Sequence, residues 1–335
     1  MLTEQASDAA AWSPGYHAIV TTAGAYFTDG LGQIEVTGPD AHAFLNRVVT
    51  ADIGALGAGS FVHSLLLRDD ASILDRVTIY RFPERLMLVV DSNRREAAWS
   101  HIVARKRGNV RLRDISGDMA AAAVRGPLTI ARMEPALSVI PAQAGTVTTA
   151  RFAGIDVFAA RVTADGPEGL DLYCRARDRG ALQSALFRIG VRTVTDEDWR
   201  IHRLEWGIAT VGVEIDSDDT PVEAGLERLV AEGKGAPFPG ETALAARRSA
   251  GAIKRLTGFH VAGQELPPAA ARVSVAGVMV DRVRNVALSP RLGVIGMAAV
   301  PTTATTPGTA LMLMSGHRTW QAMVMRTPFV TRDQA

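Results

Sequence analysis

The sequence predicts an α+β body followed by a small all-β barrel. Strands in the first 250 residues are interleaved with single helices rather than alternating regularly with them, and roughly the last 80 residues hold short strands between Gly and Pro. A chain of 335 residues is also too long for one ordinary core. The body is therefore placed at residues 1–250 and the barrel at residues 251–335.

The elements follow from local pattern. Residues 32–38 alternate apolar and polar as a half-buried strand does, and Pro39-Asp40 opens a helix carrying Ala43, Phe44, Leu45 and Val48 on one face. Residues 61–67 and 72–82 read as strands joined by the turn Arg68-Asp69-Asp70. Residues 86–90 form an apolar strand, after which Ser92 is placed to cap a helix with Glu96 in its first turn. Residues 119–132 repeat the theme through Arg125-Gly126-Pro127. A Pro/Ala/Gly connection over 135–147 leads to strands near 148–162 and 169–175 and a helix at 178–189. Thr195-Asp196-Glu197-Asp198 marks a helix start, its carboxylates favoured by the positive end of the dipole. In the last part, residues 273–275, 278–280, 294–296, 310–312 and 322–324 are short strands of a barrel.

Within the strand at 72–82, Asp75 and Arg76 must face opposite sides, because neighbouring strand residues alternate. A solvated edge strand accounts for them most simply. A ligand site is the sharper alternative, since a charge held against an interior is costly unless paired.

Composition narrows the function. Thirty-six basic residues against 35 acidic ones give no charge excess to attract nucleic acid or an anionic membrane, so small molecules or proteins are the expected partners. One cysteine, Cys174, cannot build a disulfide framework or a cysteine-rich metal cradle, and it sits in an apolar strand as packing. With neither a signal peptide nor a membrane span in view, the chain reads as cytoplasmic. The histidines, among them His17, His42, His63, His101 and His202, show no metal-ligand spacing and read as surface or packing residues. No glycine-rich phosphate loop follows a strand. The acids Glu214, Asp216, Asp218 and Asp219 lack the glycine and distal glutamate of a calcium loop and read as a solvated loop.

Several segments together resemble the aminomethyltransferase (glycine-cleavage T-protein) family: Gly32-Gln-Ile-Glu-Val-Thr-Gly-Pro-Asp, Thr50-Ala-Asp-Ile, Ser72-Ile-Leu-Asp, Val124-Arg-Gly-Pro, Arg203-Leu-Glu-Trp-Gly, Asp219-Thr-Pro-Val-Glu-Ala-Gly-Leu, Phe238-Pro-Gly-Glu-Thr-Ala-Leu, Lys254-Arg-Leu-Thr-Gly-Phe and Leu288-Ser-Pro-Arg-Leu. They run in the family's order to the C-terminus. The resemblance implies a T-protein-like fold: two related α+β units, interleaved around a central channel, plus the C-terminal β-barrel. It also implies tetrahydrofolate in the channel and transfer of a one-carbon unit.

The same resemblance assigns the site. Asp171 takes the place of a glutamate that clamps the pterin. Arg76 stands where the family's essential aspartate, the second of two acids, faces the reacting folate nitrogens. Asp91 replaces an asparagine and Met87 a tyrosine four residues earlier; Ala164 and Val211 replace further tyrosines, and Trp199 replaces an arginine one helical turn before Arg203. The stretch ahead of the family's first strand looks largely absent.

The expected function is a tetrahydrofolate-dependent transferase or demethylase with an altered site. In it Asp171, Trp199, Arg203 and Met87 bind the cofactor, Asp91 or Asp75 replaces the lost carboxylate, and Arg76 orients an anionic small molecule. A carrier protein is admitted as a further partner. The alternatives are a channel rebuilt for another ligand, walled by Trp199 and Met87, and a non-enzymatic folate-binding accessory protein. The accessory relative's reactive cysteine has no counterpart in Lys234-Gly-Ala-Pro-Phe-Pro-Gly-Glu.

Overall fold

The computed structural model describes residues 12–28, 30–162 and 168–331. The chain opens with α1 (Pro14–Thr21) and β1 (Gly24–Phe27). A first unit follows: β2 (Gly32–Thr37), α2 (Ala41–Asn46), β3 (Ser60–Leu67), β4 (Ile73–Arg81), β5 (Leu86–Val90), α3 (Arg95–Ala104) and β6 (Arg111–Asp114). The second has the same order: β7 (Met119–Arg125), α4 (Thr129–Met133), β8 (Val147–Phe152), β9 (Ile155–Val162), β10 (Gly169–Arg175), α5 (Arg179–Arg188) and β11 (Arg192–Thr193). Helices α6 (Asp196–Glu205), α7 (Pro221–Ala224) and α8 (Glu241–Ala250) lead to the last sheet. None of the described helices is long and apolar enough to cross a membrane.

The two units share one plan. The first sheet runs β3-β4-β5-β2-β6 and the second β8-β9-β10-β7-β1-β11, so the N-terminal β1 takes in the second sheet the place β6 holds in the first. The units are interleaved for that reason. Gly38 and Gly126, each before a Pro, show the duplication in detail. Both have positive φ, and a Cβ on either would collide with a backbone oxygen, that of Asn109 before β6 or that of Thr22 before β1. In this register Met87, paired with Glu35, corresponds to Asp171, paired with Ala123.

Alternation divides each sheet into two faces. One face of the first sheet packs Ile34, Val77, Ile79 and Leu88 with Phe44, Leu45 and Ile102 from α2 and α3. One face of the second packs Val124, Leu170 and Leu172 with Met133, Leu182 and Leu186 from α4 and α5. The remaining faces meet in a shared layer of Phe61, Tyr80, Phe82, Phe158 and Tyr173. Strand β4 lies between β3 and β5, so the solvated edge expected for Asp75-Arg76 does not hold. Asp75 is 1% exposed.

The last sheet comprises β12 (Lys254–Val261), β13 (Arg272–Val275), β14 (Val278–Arg282), β15 (Asn285–Ser289), β16 (Gly293–Pro301), β17 (Ala310–Ser315) and β18 (Arg318–Met325). Its order is β14-β13-β17-β18-β12-β16-β15, and it curls until the end of β14 returns to β16. There the Arg284 N–H reaches the Met297 carbonyl at 2.9 Å. Strands β12 and β15 were not foreseen from the sequence, nor were α1 and β1.

The acidic run is a solvated loop only around Asp218, which is exposed. Glu214 is 0% and Asp219 1% exposed, because Arg284 of the barrel sits among these acids and binds Asp219, Asp216 and Asp281. A buried ion cluster therefore joins body to barrel.

Candidate functional site

A cavity of about 270 Å³ opens at one end of the layer between the two body sheets. From β4 come Arg76 and Thr78, from β3 His63, from β10 Asp171 and Tyr173, and from β7 Arg125; Asp91 stands at the end of β5. Helix α6 supplies Trp199, His202 and Arg203, whose i, i+3, i+4 spacing puts them on one face.

Helix α6 is held at both ends. Thr195 Oγ1 accepts the Asp198 N–H, and Asp198 Oδ2 accepts the Thr195 N–H, each at 3.2 Å, which closes a capping box. Ser13 also donates to Asp198. At the other end buried Glu205 accepts from Tyr16 and Ser289, each at 2.5 Å, and from Arg291 at 2.7 Å. Charge-assisted bonds of this kind contribute roughly 1.5–3 kcal/mol each. The cavity face of α6 is thus fixed by α1 and by the barrel together.

Five of the seven residues expected at the site, Arg76, Asp91, Asp171, Trp199 and Arg203, line this cavity. Arg125 Nη2 donates to Asp171 Oδ1 at 2.7 Å, and both side chains are mostly buried. A carboxylate has about four acceptor positions, so this bond leaves capacity for a ligand. The Trp199 ring stacks on Tyr26 with centroids 4.8 Å apart and an interplanar angle of 8°. His202 lies on it at 5.6 Å, and the Arg125 guanidinium sits 5.9 Å from its centroid. Arg203 donates to the Ile208 carbonyl at 2.8 Å and lies 3.7 Å from Glu214.

Asp75 and Met87 do not line the cavity. The Asp75 carboxylate leaves the other face of β4, where it accepts the N–H groups of Arg76 at 2.8 Å and Asp91 at 3.0 Å. Burial raises its pKa to about 7 against those two bonds. Met87 lies two residues deeper along β5 than the cavity-lining Val89, packed in the aromatic layer. Val211 packs in the core with Ile215, and Ala164 lies outside the described residues. Asp91 caps the short 3-10 turn Ser92–Arg94 ahead of α3, its Oδ1 accepting the Asn93 N–H at 2.9 Å; Ser92 caps neither that turn nor α3, which no side chain caps.

Two of the histidines read as surface or packing residues, His63 and His202, line the cavity. Burial lowers each to a pKa of about 3, helped most by Arg76 for His63 and by Arg125 for His202, so both rings are neutral. His63 Nδ1 lies 3.0 Å from Thr78 Oγ1, a cross-strand pair. Arg125, Tyr173, His63 and Thr78 were missed by sequence reasoning. Tyr173 had a signal, since it shares a strand face with Asp171, whereas the others depend on strand pairing. The Arg76 pKa falls to about 10, first through burial and then through Arg228 and Arg203.

Chemically, the cavity offers a carboxylate with spare acceptor capacity beside a stacked aromatic wall, neutral imidazoles, and guanidinium groups whose planar forks can pair with an anion. No group of acidic, histidine or cysteine side chains among the described residues is arranged to hold a metal ion.

Comparisons with known proteins bear on what such a site does. The GCVT N-terminal domain model matches residues 4–234, and the glycine cleavage T-protein C-terminal barrel domain model matches residues 254–331. The stretch ahead of β2 is therefore matched, not absent. An aminomethyltransferase of Symbiobacterium thermophilum is 29% identical over 94% of this chain and 88% of its own. That of Bacillus velezensis is 28% identical over 95% and 90%. The crystal structure of glycine cleavage system aminomethyltransferase T from Bartonella henselae superposes with a TM-score of 0.86, over 94% of this chain and 88% of that one, at 23% identity. At that identity the superposition speaks for the fold.

Proposed function

The chain belongs to the glycine-cleavage T-protein family, and from that premise we propose that it is a tetrahydrofolate-dependent one-carbon transferase or demethylase with an altered substrate site. The observation that carries this reading is Asp171, a carboxylate at the cavity beside the Trp199–Tyr26 stack. A pterin is flat and presents N–H donors along one edge. It suits an aromatic wall with an acceptor at its side. Asp171 would take those donors, with Arg125 holding the carboxylate in place.

Bound tetrahydrofolate would supply the nitrogens that carry the one-carbon unit. What this chain's residues do around it differs from the family's pattern at Arg76. A guanidinium there cannot act as the carboxylate does, and it is suited to hold an anionic small molecule instead. Asp91, at the cavity beside it, is the acid left to take or give a proton at the reacting centre. His63 and His202, held neutral, shape the wall without adding charge.

The Lys234 ammonium donates to the carbonyls of Asn46, Val49 and Ala51 at the end of α2, a structural use of the stretch where an accessory protein would carry its cysteine. The one cysteine, Cys174, is buried and packs in the core of the second unit.

Calorimetric titration with tetrahydrofolate tests the reading, and one saturable site is expected. Absence of binding at millimolar concentration would overturn it. A different molecule found by native mass spectrometry in the protein as purified would then favour the rebuilt channel.

A further inference from the structure

Beside the first cavity lies a second, of about 680 Å³, and Arg76 and Ile208 line both. Among the described residues lining the second, three are arginines, Arg76, Arg228 and Arg255. They come from β4, from the turn after α7 and from β12, so the fold and not sequence adjacency gathers them. Glu227 pairs with Arg255 and fixes its direction. Much of the remaining wall is apolar, with Trp206, Leu226, Leu256 and Met297 among it. A space with guanidinium groups on an apolar wall matches a ligand with a carboxylate on a short carbon body, since the planar fork of arginine binds carboxylate through paired bonds.

Size also calls for this space. At about 270 Å³ the first cavity falls below the roughly 300–1,000 Å³ of pockets that enclose a whole drug-sized ligand. It suits a head group, and a second molecule needs room of its own. Arg76, which lines both cavities, bears on which molecule that is. It occupies the position next to the reacting centre by resemblance, so an anion gripped there ends beside the one-carbon unit and not at the far end of the folate.

We propose that the second cavity is the subsite for a carboxylate-bearing co-substrate, received by Arg76, Arg228 and Arg255 and aimed by Arg76 at the first cavity. This rests on the reading that the first cavity takes the folate head. The glutamyl end of a folate carries the same chemistry, and the experiment separates the two sources.

The test is calorimetry on the full chain with succinate as the probe and, separately, with tetrahydrofolate. Three proteins are compared: wild type, Arg228→Gln, and Arg228→Gln/Arg255→Lys, the second change keeping a cation beside Glu227 so that the fold is spared. Succinate should bind wild type and lose about tenfold or more in Arg228→Gln, the loss of one charge-assisted bond, while tetrahydrofolate affinity stays within about twofold. Succinate binding that is absent from wild type, or unchanged in both variants, overturns the proposal. A matching loss of tetrahydrofolate affinity overturns it too, by assigning the space to the glutamyl end. Succinate binding that depends on Arg228 in a protein that takes no tetrahydrofolate keeps the carboxylate subsite and refutes the folate reading alone.

Discussion

Asp75 and Arg76, adjacent in sequence, are separated by the plane of a sheet. The Asp75 carboxylate accepts the Arg76 N–H at 2.8 Å on one side of β4, while the Arg76 side chain lines two cavities on the other. The same carboxylate accepts the Asp91 N–H at 3.0 Å, so it braces the backbone beneath two of the charged residues that border the cavity. Asp75 is a positioning residue for Arg76 and Asp91.

That placement gives a pH signature. Burial raises the Asp75 pKa from 3.8 to about 7, so between those values the folded state holds a proton that the unfolded state releases. The folded chain then binds more protons than the unfolded one, and this group's contribution makes stability fall as pH rises from about 4 to about 7. In Asp75→Asn the titration is gone. Urea unfolding at the two ends of this window should show the variant gaining on wild type as pH rises; a constant difference between them would sink the assignment.

How much of this was legible in the sequence depends on distance along the chain. The alternation in residues 72–82 showed that Asp75 and Arg76 face opposite ways, but both are charged, so the pattern could not say which one faces the core. The turns at Gly38 and Gly126 carried the duplication in plain view, as Gly-Pro after a strand. Strand β1 has only four residues and pairs with β7, whose partners lie about a hundred positions later, so no local pattern revealed it. The acids at 214–219 look solvated until Arg284 arrives from the barrel. Met87 was placed at the channel by resemblance alone, and it packs in the aromatic layer instead. Its depth along β5, set by the aromatic layer, lay beyond any local signal.

Asp171 should dominate folate affinity if it takes the pterin donors. Asp171→Ala is expected to weaken tetrahydrofolate binding by roughly 2–4 kcal/mol, and Asp171→Glu, which keeps the carboxylate, to retain most of it. The fold should survive the alanine change, because Arg125 still donates to the carbonyls of Val124 at 3.1 Å and Leu170 at 3.2 Å. Calorimetry on the three proteins decides the matter, and wild-type affinity in the alanine variant would refute the role.

Arg284 is the strongest point of the join between body and barrel. Its side chain is 0% exposed and reaches Asp281 at 2.9 Å, Asp216 at 3.1 Å, Asp219, and the Glu214 carbonyl at 2.9 Å. Burial alone would raise the Asp219 pKa, yet the bond from Arg284 carries it below its ordinary value of 3.8. Asp219 therefore contributes stability that is present above its unfolded pKa and is lost as pH falls through the folded value. Replacing Arg284 with Met keeps an apolar stem but takes from three carboxylates the buried cation they share, leaving Asp216 only Arg282 and Asp219 only Lys254, a change of the kind that costs about 3–5 kcal/mol. The loss should be largest near neutral pH and shrink on acidification, because the stability that Asp219 draws from Arg284 is itself lost there. It should also reach the site, because Glu214 accepts from Asn285 of the barrel and lies beside Arg203 of the cavity. Denaturant unfolding at two pH values tests the first part. An Arg284→Met protein within about 1 kcal/mol of wild type near neutral pH would mean that apolar packing, not this ion cluster, holds the barrel to the body.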